Sequence, residues 1–236
     1  MPLLTFNRSS LAQSVFRIIS LLIIWMLFAN VSFNQFFLNP QLRQLTLIGL
    51  ILAVLLNEVS SPIKTFSVIA VSDVLLVILL GFLYFKTASV NIWLILIDFL
   101  LANVLLLSKF IDEPHCRWII YGFISGTGLV FLFNLSYHHY FSLVSLMYIT
   151  LMIFANIFFS YYAFMKKGSQ FSMIVICVLI LLLCLTLEIS FFKLLLITIV
   201  LAFYIFFESK VNQRNHEKRA NVSRISFLLF SMFVVL

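Results

Sequence analysis

The chain has 236 residues, of which 64% are hydrophobic and 10% charged, and its formal net charge is +7. Soluble domains are about 45–50% apolar and about 25% charged, so this composition excludes a water-soluble globular enzyme, a disordered chain and a disulfide-stabilised domain. The apolar surface needs lipid around it. The sequence therefore predicts an all-α, polytopic transmembrane helical bundle that forms one integral membrane domain over residues 1–236.

Long apolar runs follow one another from the start of the chain. A helix that spans the hydrocarbon core takes about 20 apolar residues, and eight stretches meet or approach that length. They run roughly over residues 15–37, 42–59, 65–85, 90–107, 118–137, 141–165, 171–189 and 191–207. Short breaks separate them, such as Asn39-Pro40 and Lys166-Lys167-Gly168, and residues of these types end helices. We therefore expect about eight spans and no soluble domain.

A further apolar segment covers residues 225–236. Its twelve residues would rise only about 18 Å as a helix, which is shorter than the core thickness of about 30 Å. This length predicts a partial span, the first half of a ninth helix whose remainder is missing. An interfacial or re-entrant helix is the alternative.

The basic residues are distributed unevenly between alternate breaks, which predicts the orientation. With the N-terminus in the cytoplasm, three basic residues lie outside: Arg43, Lys86 and Lys193. Twelve lie inside: Arg8, Arg17, Lys64, Lys109, Arg117, Lys166, Lys167, Lys210, Arg214, Lys218, Arg219 and Arg224. Because these residues flank apolar runs rather than forming a soluble patch, nucleic acid is excluded as a partner. The sequence predicts a multi-pass protein of the cell membrane, and the 28 Phe residues favour a bacterial source with AT-rich coding.

Ionisable groups near the centre of a bilayer are costly and are functional candidates by default. Asp73 lies near the middle of the third run and Asp98 near the middle of the fourth. If these helices pack side by side, the two carboxylates lie at similar depth, and one would hold a proton, as in a proton or cation relay. Asn91 and Asn103 extend the polar stripe of the fourth run. The alternative is that these groups only join helices through hydrogen bonds.

The fifth run contains glycines at 122, 126 and 128. The spacing of Gly122 and Gly126 is that of GxxxG, which lets two helix backbones approach closely. No Lys-Ser or Lys-Thr follows, so a phosphate loop is not indicated. We expect these glycines to serve close helix packing.

Polar residues gather at the predicted outer surface. Arg43, His138, His139 and Lys193 would form a rim there that binds substrate. Adjacent histidines point in different directions on a helix and are poor joint metal ligands, and no zinc or cofactor motif is present. The sequence thus predicts no metal and no cofactor, and it leaves catalytic residues unknown.

Two local patterns carry a family resemblance. They are the Lys-bearing helix end Leu105–Lys109 and the turn Leu185-Thr186-Leu187-Glu188-Ile189-Ser190. With the series of closely spaced helices over roughly residues 11–236, they resemble the amino-terminal part of bacterial O-antigen polymerase and ligase-like proteins. That resemblance implies a polyprenyl-diphosphate-linked glycan as substrate, held at the outer surface by basic residues, for which Arg43 and Lys193 are the candidates here. Glu188 stands where the family has a basic residue.

Three functions stay open on the sequence alone. The first is a polymerase-like, truncated membrane protein of surface-polysaccharide assembly, with a missing C-terminal half or other membrane proteins as partners. The second is a proton- or cation-linked transporter, or transporter subunit, that uses Asp73 and Asp98. The third is a sensor or accessory membrane protein without chemistry of its own.

Overall fold

The protein is all-α in the computed structural model, which describes residues 8–87, 92–107, 111–165, 170–211 and 215–236. The helices are α1 (Arg8–Phe28), α2 (Phe33–Leu38), α3 (Pro40–Ser60), α4 (Phe66–Thr87), α5 (Ile92–Leu107), α6 (Pro114–Ile124), α7 (Thr127–His138), α8 (Leu143–Phe159), α9 (Tyr161–Phe164), α10 (Gln170–Thr186), α11 (Phe191–Lys210) and α12 (His216–Val235). No strand occurs in these ranges.

Four of the described helices are long and apolar enough to cross a membrane, judged by length and composition. They are Pro40–Ser60, Phe66–Phe85, Pro114–His138, in which α6 and α7 follow each other, and Phe191–Lys210. Shorter apolar helices lie at Ala12–Phe28, Ile92–Leu107, Leu143–Phe159 and Gln170–Thr186. Only 22% of the most apolar stretch of α11 is buried, against 61% for Pro114–His138, so α11 presents most of its side chains outward, as a lipid-facing helix does.

Side chains at the breaks start several helices. Asn39 accepts hydrogen bonds from the backbone N–H groups of Gln41 and Leu42, at 2.9 and 3.4 Å, while Glu113 accepts one from Cys116 at 3.1 Å. Each of these caps is followed by a proline at the first helical position, where a missing N–H costs nothing. The sequence breaks at these points thus act as helix starts.

The C-terminal helix begins earlier than the sequence suggests. Residues 225–236 are not a separate short segment, because α12 already begins at His216 and has 20 residues, a length of about 30 Å. It packs along α1, α11, α8 and α9. Arg219 and Arg224, which hydropathy assigns to a loop, are buried within it at 4% and 8% exposure.

The glycines of the fifth run lie at close contacts, as their spacing predicts. A Cβ on Gly122 would meet the side chain and backbone of Ile157, and one on Gly126 would meet the indole of Trp25. Gly126 also has a φ of +83°, a conformation that L side chains rarely adopt. The run is therefore divided at Ser125-Gly126 into α6 and α7.

Candidate ligand-binding cavity

A cavity of about 420 Å³ lies at one end of the bundle. The connection after α3 contributes Lys64, the start of α6 contributes Arg117, and the start of α12 contributes His216 and Arg219. Tyr162, on the short helix α9, forms part of its wall and is buried. Three permanently or normally cationic side chains therefore surround one space.

Two of these cations are fixed by carbonyl groups at helix ends. The Lys64 ammonium donates to the carbonyls of Glu58 and Val59, at 2.5 and 2.6 Å, in the last turn of α3. Arg117 donates to the carbonyls of Leu105 and Ile111, at 2.7 and 3.2 Å. Carbonyls at a helix C-terminus lack partners and attract cations. These contacts satisfy hydrogen bonds but leave the full positive charge at the cavity.

The third cation has a carboxylate partner. Both Nε and Nη2 of Arg219 donate to one carboxylate oxygen of Glu208, at 2.9 and 2.5 Å. The side chains of Arg219 and Glu208 are 5% and 3% exposed, so the pair is shielded from solvent. The second carboxylate oxygen of Glu208 is buried without a hydrogen-bond partner. This pair joins α11 to α12 beside the cavity.

The pKa values of two cavity groups reflect burial and the surrounding positive charge. Burial, and after it the nearby charge of Arg117, lower the pKa of Lys64 to about 8, while Glu58 opposes the shift. Burial also lowers the pKa of His216 to about 4, with added contributions from Arg17, Arg219 and Lys64. The Nε2 atom of His216 is buried without a hydrogen-bond partner. The positive potential that disfavours protonation of these two groups would favour the binding of an anion in the cavity.

Tyr162 separates this cavity from a much smaller internal space of about 10 Å³. Arg224, Asn156, Ser160 and Ser223 line the smaller space. That volume is close to the minimum for one water molecule. Polar side chains therefore continue from the cavity into the bundle, past Tyr162.

Two helix breaks lie next to this internal space. At Ser125, where α6 ends, the carbonyl accepts hydrogen bonds from Trp25 Nε1 and Asn156 Nδ2, both at 3.0 Å. At Phe159, where α8 ends, the carbonyl accepts from the Tyr204 hydroxyl at 2.9 Å and from the Ser223 hydroxyl at 2.5 Å.

Irregular backbone is tolerated at membrane depth only where protein or a water-filled cavity satisfies it. Discontinuous helices of this kind form the substrate sites of many transporters.

The predicted outer rim is not assembled around one space. His138 contacts the Asn30 carbonyl through Nε2 at 3.2 Å, and His139 ends α7 with a φ of 59°. Arg43 is exposed on α3. Lys193 lies on α11, whose main neighbours are α10 and α12 rather than α3 or α7. Within the described part of the chain, no hydrogen bond or ion pair joins any two of these four side chains.

The two membrane-depth aspartates have different partners. Asp73 accepts a hydrogen bond from Asn103 Nδ2 at 3.0 Å, which joins α4 to α5. Asp98 accepts one from the backbone N–H of Gly128 at 2.9 Å, which joins α5 to α7. These contacts are of the helix-joining kind that the sequence left open, and Asn91 lies outside the described residues.

Sequence reasoning missed the cavity because its residues come from four distant segments. Lys64, Arg117 and Arg219 are visible in the sequence only as members of the inside set of basic residues. The Pro after Glu113 and the charges after Asn215 were signals for helix starts, and placing helices there brings Arg117 and His216 to the same end. Tyr162 carries no signal beyond being an aromatic residue in an apolar run.

The described ranges contain no group of three His, Cys, Asp or Glu residues that could hold a metal ion. No protein-family model, curated protein or solved structure matches this chain. The candidate site therefore rests on its own geometry: a cavity that is rich in cations, and beside it two broken helices.

Proposed function

We propose that this chain is a membrane protein of surface-polysaccharide assembly whose basic cavity binds the diphosphate of a polyprenyl-linked glycan. The observation that carries the proposal is the charge of the cavity. Lys64 and Arg117 donate to neutral carbonyls, and although the Glu58 carboxylate offsets part of the Lys64 charge, the charge of Arg117 is available to an anion. A guanidinium matches phosphate oxygens in a bidentate way, and a lysine ammonium acts on phosphate as a point charge.

The surroundings of Lys64 suit a ligand with a lipid tail. Ile63 and Phe66 flank the loop and are 79% and 73% exposed. A diphosphate bound at Lys64 and Arg117 would therefore lie beside apolar side chains that can contact a prenyl chain. Free nucleotide or inorganic phosphate would leave these side chains without a partner.

The proposal includes an orientation in the cell membrane. Lys64, Arg117 and Arg219 belong to the basic residues that alternate-loop counting puts on the cytoplasmic side, so the cavity would open to the cytoplasm, on the side of the N-terminus. The eight apolar runs would then span the membrane, with α12 crossing beside α1. A bacterial source and a polymerase-like reaction remain part of this proposal.

The test is ligand binding to the purified protein in lipid nanodiscs. Farnesyl diphosphate is the probe, and farnesol is the matched ligand without phosphate. We expect Arg117→Gln and Lys64→Gln each to weaken farnesyl diphosphate binding by about tenfold, the loss of one charge-assisted contact. Arg43→Gln, at the predicted outer rim, is the matched control and should bind normally.

The outcomes separate the competing functions. If Arg43→Gln weakens binding while the cavity variants do not, the lipid diphosphate is held at the outer rim. If farnesyl diphosphate binds no more tightly than farnesol, the polysaccharide proposal is wrong, and the transporter and the sensor or accessory role are left.

The transporter alternative is supported by one observation, the polar interior. Asp98 lines a separate cavity, and polar groups extend from the basic cavity to the two helix breaks. However, Asp73 and Asp98 each have their own hydrogen-bond donor, which removes the main reason for assigning them a shared proton. A flux assay in proteoliposomes that shows equal proton-linked transport for wild type, Asp73→Asn and Asp98→Asn would dismiss this alternative.

A further inference from the structure

A second cavity, of about 240 Å³, lies between α5, α6 and α7. Its walls are mostly apolar and include Leu94, Ile97, Leu101 and Phe123, and among the described residues Asp98 is the one ionisable side chain that lines it. Ile97 and Phe123 are 52% and 53% exposed, so the cavity reaches the outer surface of the bundle there. It is a groove with apolar sides and one carboxyl group.

The carboxyl group is held in place by the backbone of α7. Asp98 is 5% exposed, and one of its oxygens accepts the Gly128 N–H at 2.9 Å. A Cβ on Gly128 would lie 2.6 Å from the Leu94 carbonyl oxygen and 3.0 Å from Asp98 Oδ2. The absence of a side chain at residue 128 therefore allows α5 and α7 to come close enough for this contact. The groove is built around a fixed acid rather than around a mobile one.

The depth of Asp98 limits what can reach it. It is the seventh residue of the sixteen-residue helix Ile92–Leu107, which puts it about 10 Å along the axis from the first residue. Phospholipid headgroups remain at the interface, so a ligand of this groove must be small enough to bring its charge below them. A carboxylate far from water requires a cation or a proton.

We propose that this groove binds a lipophilic ammonium ion, with the ammonium on Asp98 and the apolar body against Leu94, Leu101 and Phe123. The ligand enters from the lipid side, between Ile97 and Phe123. The assignment is independent of the basic cavity, which is lined by other residues, although α6 contributes its first turn to that cavity and its last turn to this groove. Charge complementarity and the apolar walls together define the ligand class.

Binding of radiolabelled decylammonium to the detergent-solubilised protein tests the assignment, with protein-free micelles as the blank. We expect Asp98→Asn to weaken decylammonium binding about tenfold or more, because the buried cation would lose its charge partner. Decanol has the same chain without charge, and it should compete poorly against wild type. Asp73→Asn is the matched control, since Asp73 bonds to Asn103 and does not line the groove, and it should bind normally.

A second variant keeps the proposal testable if Asp98→Asn misfolds. Ile97→Trp leaves Asp98 unchanged and fills the mouth of the groove at an exposed position, so it should also weaken decylammonium binding. Equal decylammonium affinity in wild type and Asp98→Asn would overturn the proposal, since Asp98 would then only join helices in its protonated form. If Asp98→Asn does not fold, full affinity in Ile97→Trp would overturn it instead. The proposal would also be overturned if decanol competed as strongly as unlabelled decylammonium.

Discussion

Glu208 on α11 and Arg219 on α12 form an ion pair in which Nη2 and Oε2 are 2.5 Å apart and both side chains are at most 5% exposed. They are eleven positions apart in the sequence, on either side of the connection between the two helices. The pair lies beside the basic cavity, of which Arg219 forms part of the wall. This ion pair therefore helps to fix the position of α12 against α11.

Removing one member of this pair should strongly destabilise the protein. Glu208→Gln leaves the Arg219 charge buried without a counter-charge, and breaking a buried pair in this way costs about 3–5 kcal/mol. Unfolding in detergent, followed by circular dichroism with added denaturant, measures the loss. The double variant Glu208→Gln, Arg219→Met should recover much of it, and an unchanged free energy of unfolding in the single variant would contradict this account.

Acid should destabilise the protein through His216. Burial, with the charges of Arg17, Arg219 and Lys64, lowers the pKa of His216 from 6.5 to about 4, so the unfolded chain takes up a proton at a pH where the folded protein does not. The contribution of this residue to the free energy of unfolding therefore rises between about pH 4 and 6.5, and is constant above that window.

We expect the thermal midpoint to fall between about pH 7.5 and about pH 5, and to fall less in His216→Gln. The control is His115→Gln, because His115 is exposed. An identical loss in wild type and in His216→Gln would rule out this residue as the source.

Two glycines should respond in opposite ways to alanine. A Cβ on Gly122 would meet Ile157, whose backbone nitrogen would be 3.0 Å away, so Gly122→Ala should cost about 1–3 kcal/mol through overpacking. Nothing lies within 4 Å of a Cβ on Gly81 in α4, so Gly81→Ala should stabilise by about 0.5–1 kcal/mol through a lower entropy of the unfolded chain. Denaturation midpoints of both variants check the prediction, which is wrong if the two shifts have the same sign.

Two hydroxyl groups donate to the Phe159 carbonyl, and the losses in stability on removing them should not be additive. Tyr204→Phe and Ser223→Ala each leave this carbonyl with one donor, and each should cost about 1 kcal/mol. The double variant removes both donors from a buried acceptor, so its loss should exceed the sum of the two. Thr198→Val is the control, since Thr198 bonds within its own helix at an exposed position. Strict additivity in the double-mutant cycle would argue against shared dependence on this carbonyl.

The proposed orientation predicts which positions are reached from outside the cell. In a variant with Cys116, Cys177 and Cys184 changed to Ser, a cysteine at His139 should react with an impermeant maleimide, and one at Asn215 should react only after the membrane is opened. Both positions are exposed in the structure, so access depends on the side of the membrane. Labelling of the cysteine at residue 215 in intact cells would contradict the proposed orientation.

The sequence is informative about the helices because apolar runs and proline caps act locally. The cap residues Asn39 and Glu113 mark helix starts within a residue, since each bonds to N–H groups only two or three positions away. The start of α12 has only a weak local signal, Asn215 and the charges after it, and hydropathy points the other way because it treats Arg219 as solvated. Its burial depends on Glu208, and no local pattern reports that partner.

The candidate site could be predicted only in its parts. Counting basic residues places Lys64 and Arg117 at the same end of the bundle, but the cavity between them depends on how α9 and α12 pack. The break at Phe159 depends on Ser223, which lies 64 residues away in the chain. Contacts at that separation leave no periodic signal, and neither does the meeting of Asp98 with Gly128 across 30 residues.

The break between α8 and α9 has a consequence for how the basic cavity is coupled to α11 and α12. The Ala163 N–H donates to the Ser160 carbonyl at 3.0 Å, whereas in an uninterrupted helix it would donate to Phe159. Both lone pairs of the Phe159 oxygen are taken by Tyr204 and Ser223. If this turn became a regular helix, the Ala163 N–H would compete for the Phe159 carbonyl with the hydroxyls of Tyr204 on α11 and Ser223 on α12. Since Tyr162 and Ala163 also line the basic cavity, a ligand that shifts this turn would also shift the positions of α11 and α12, and the two equilibria would then bias each other by the same free energy.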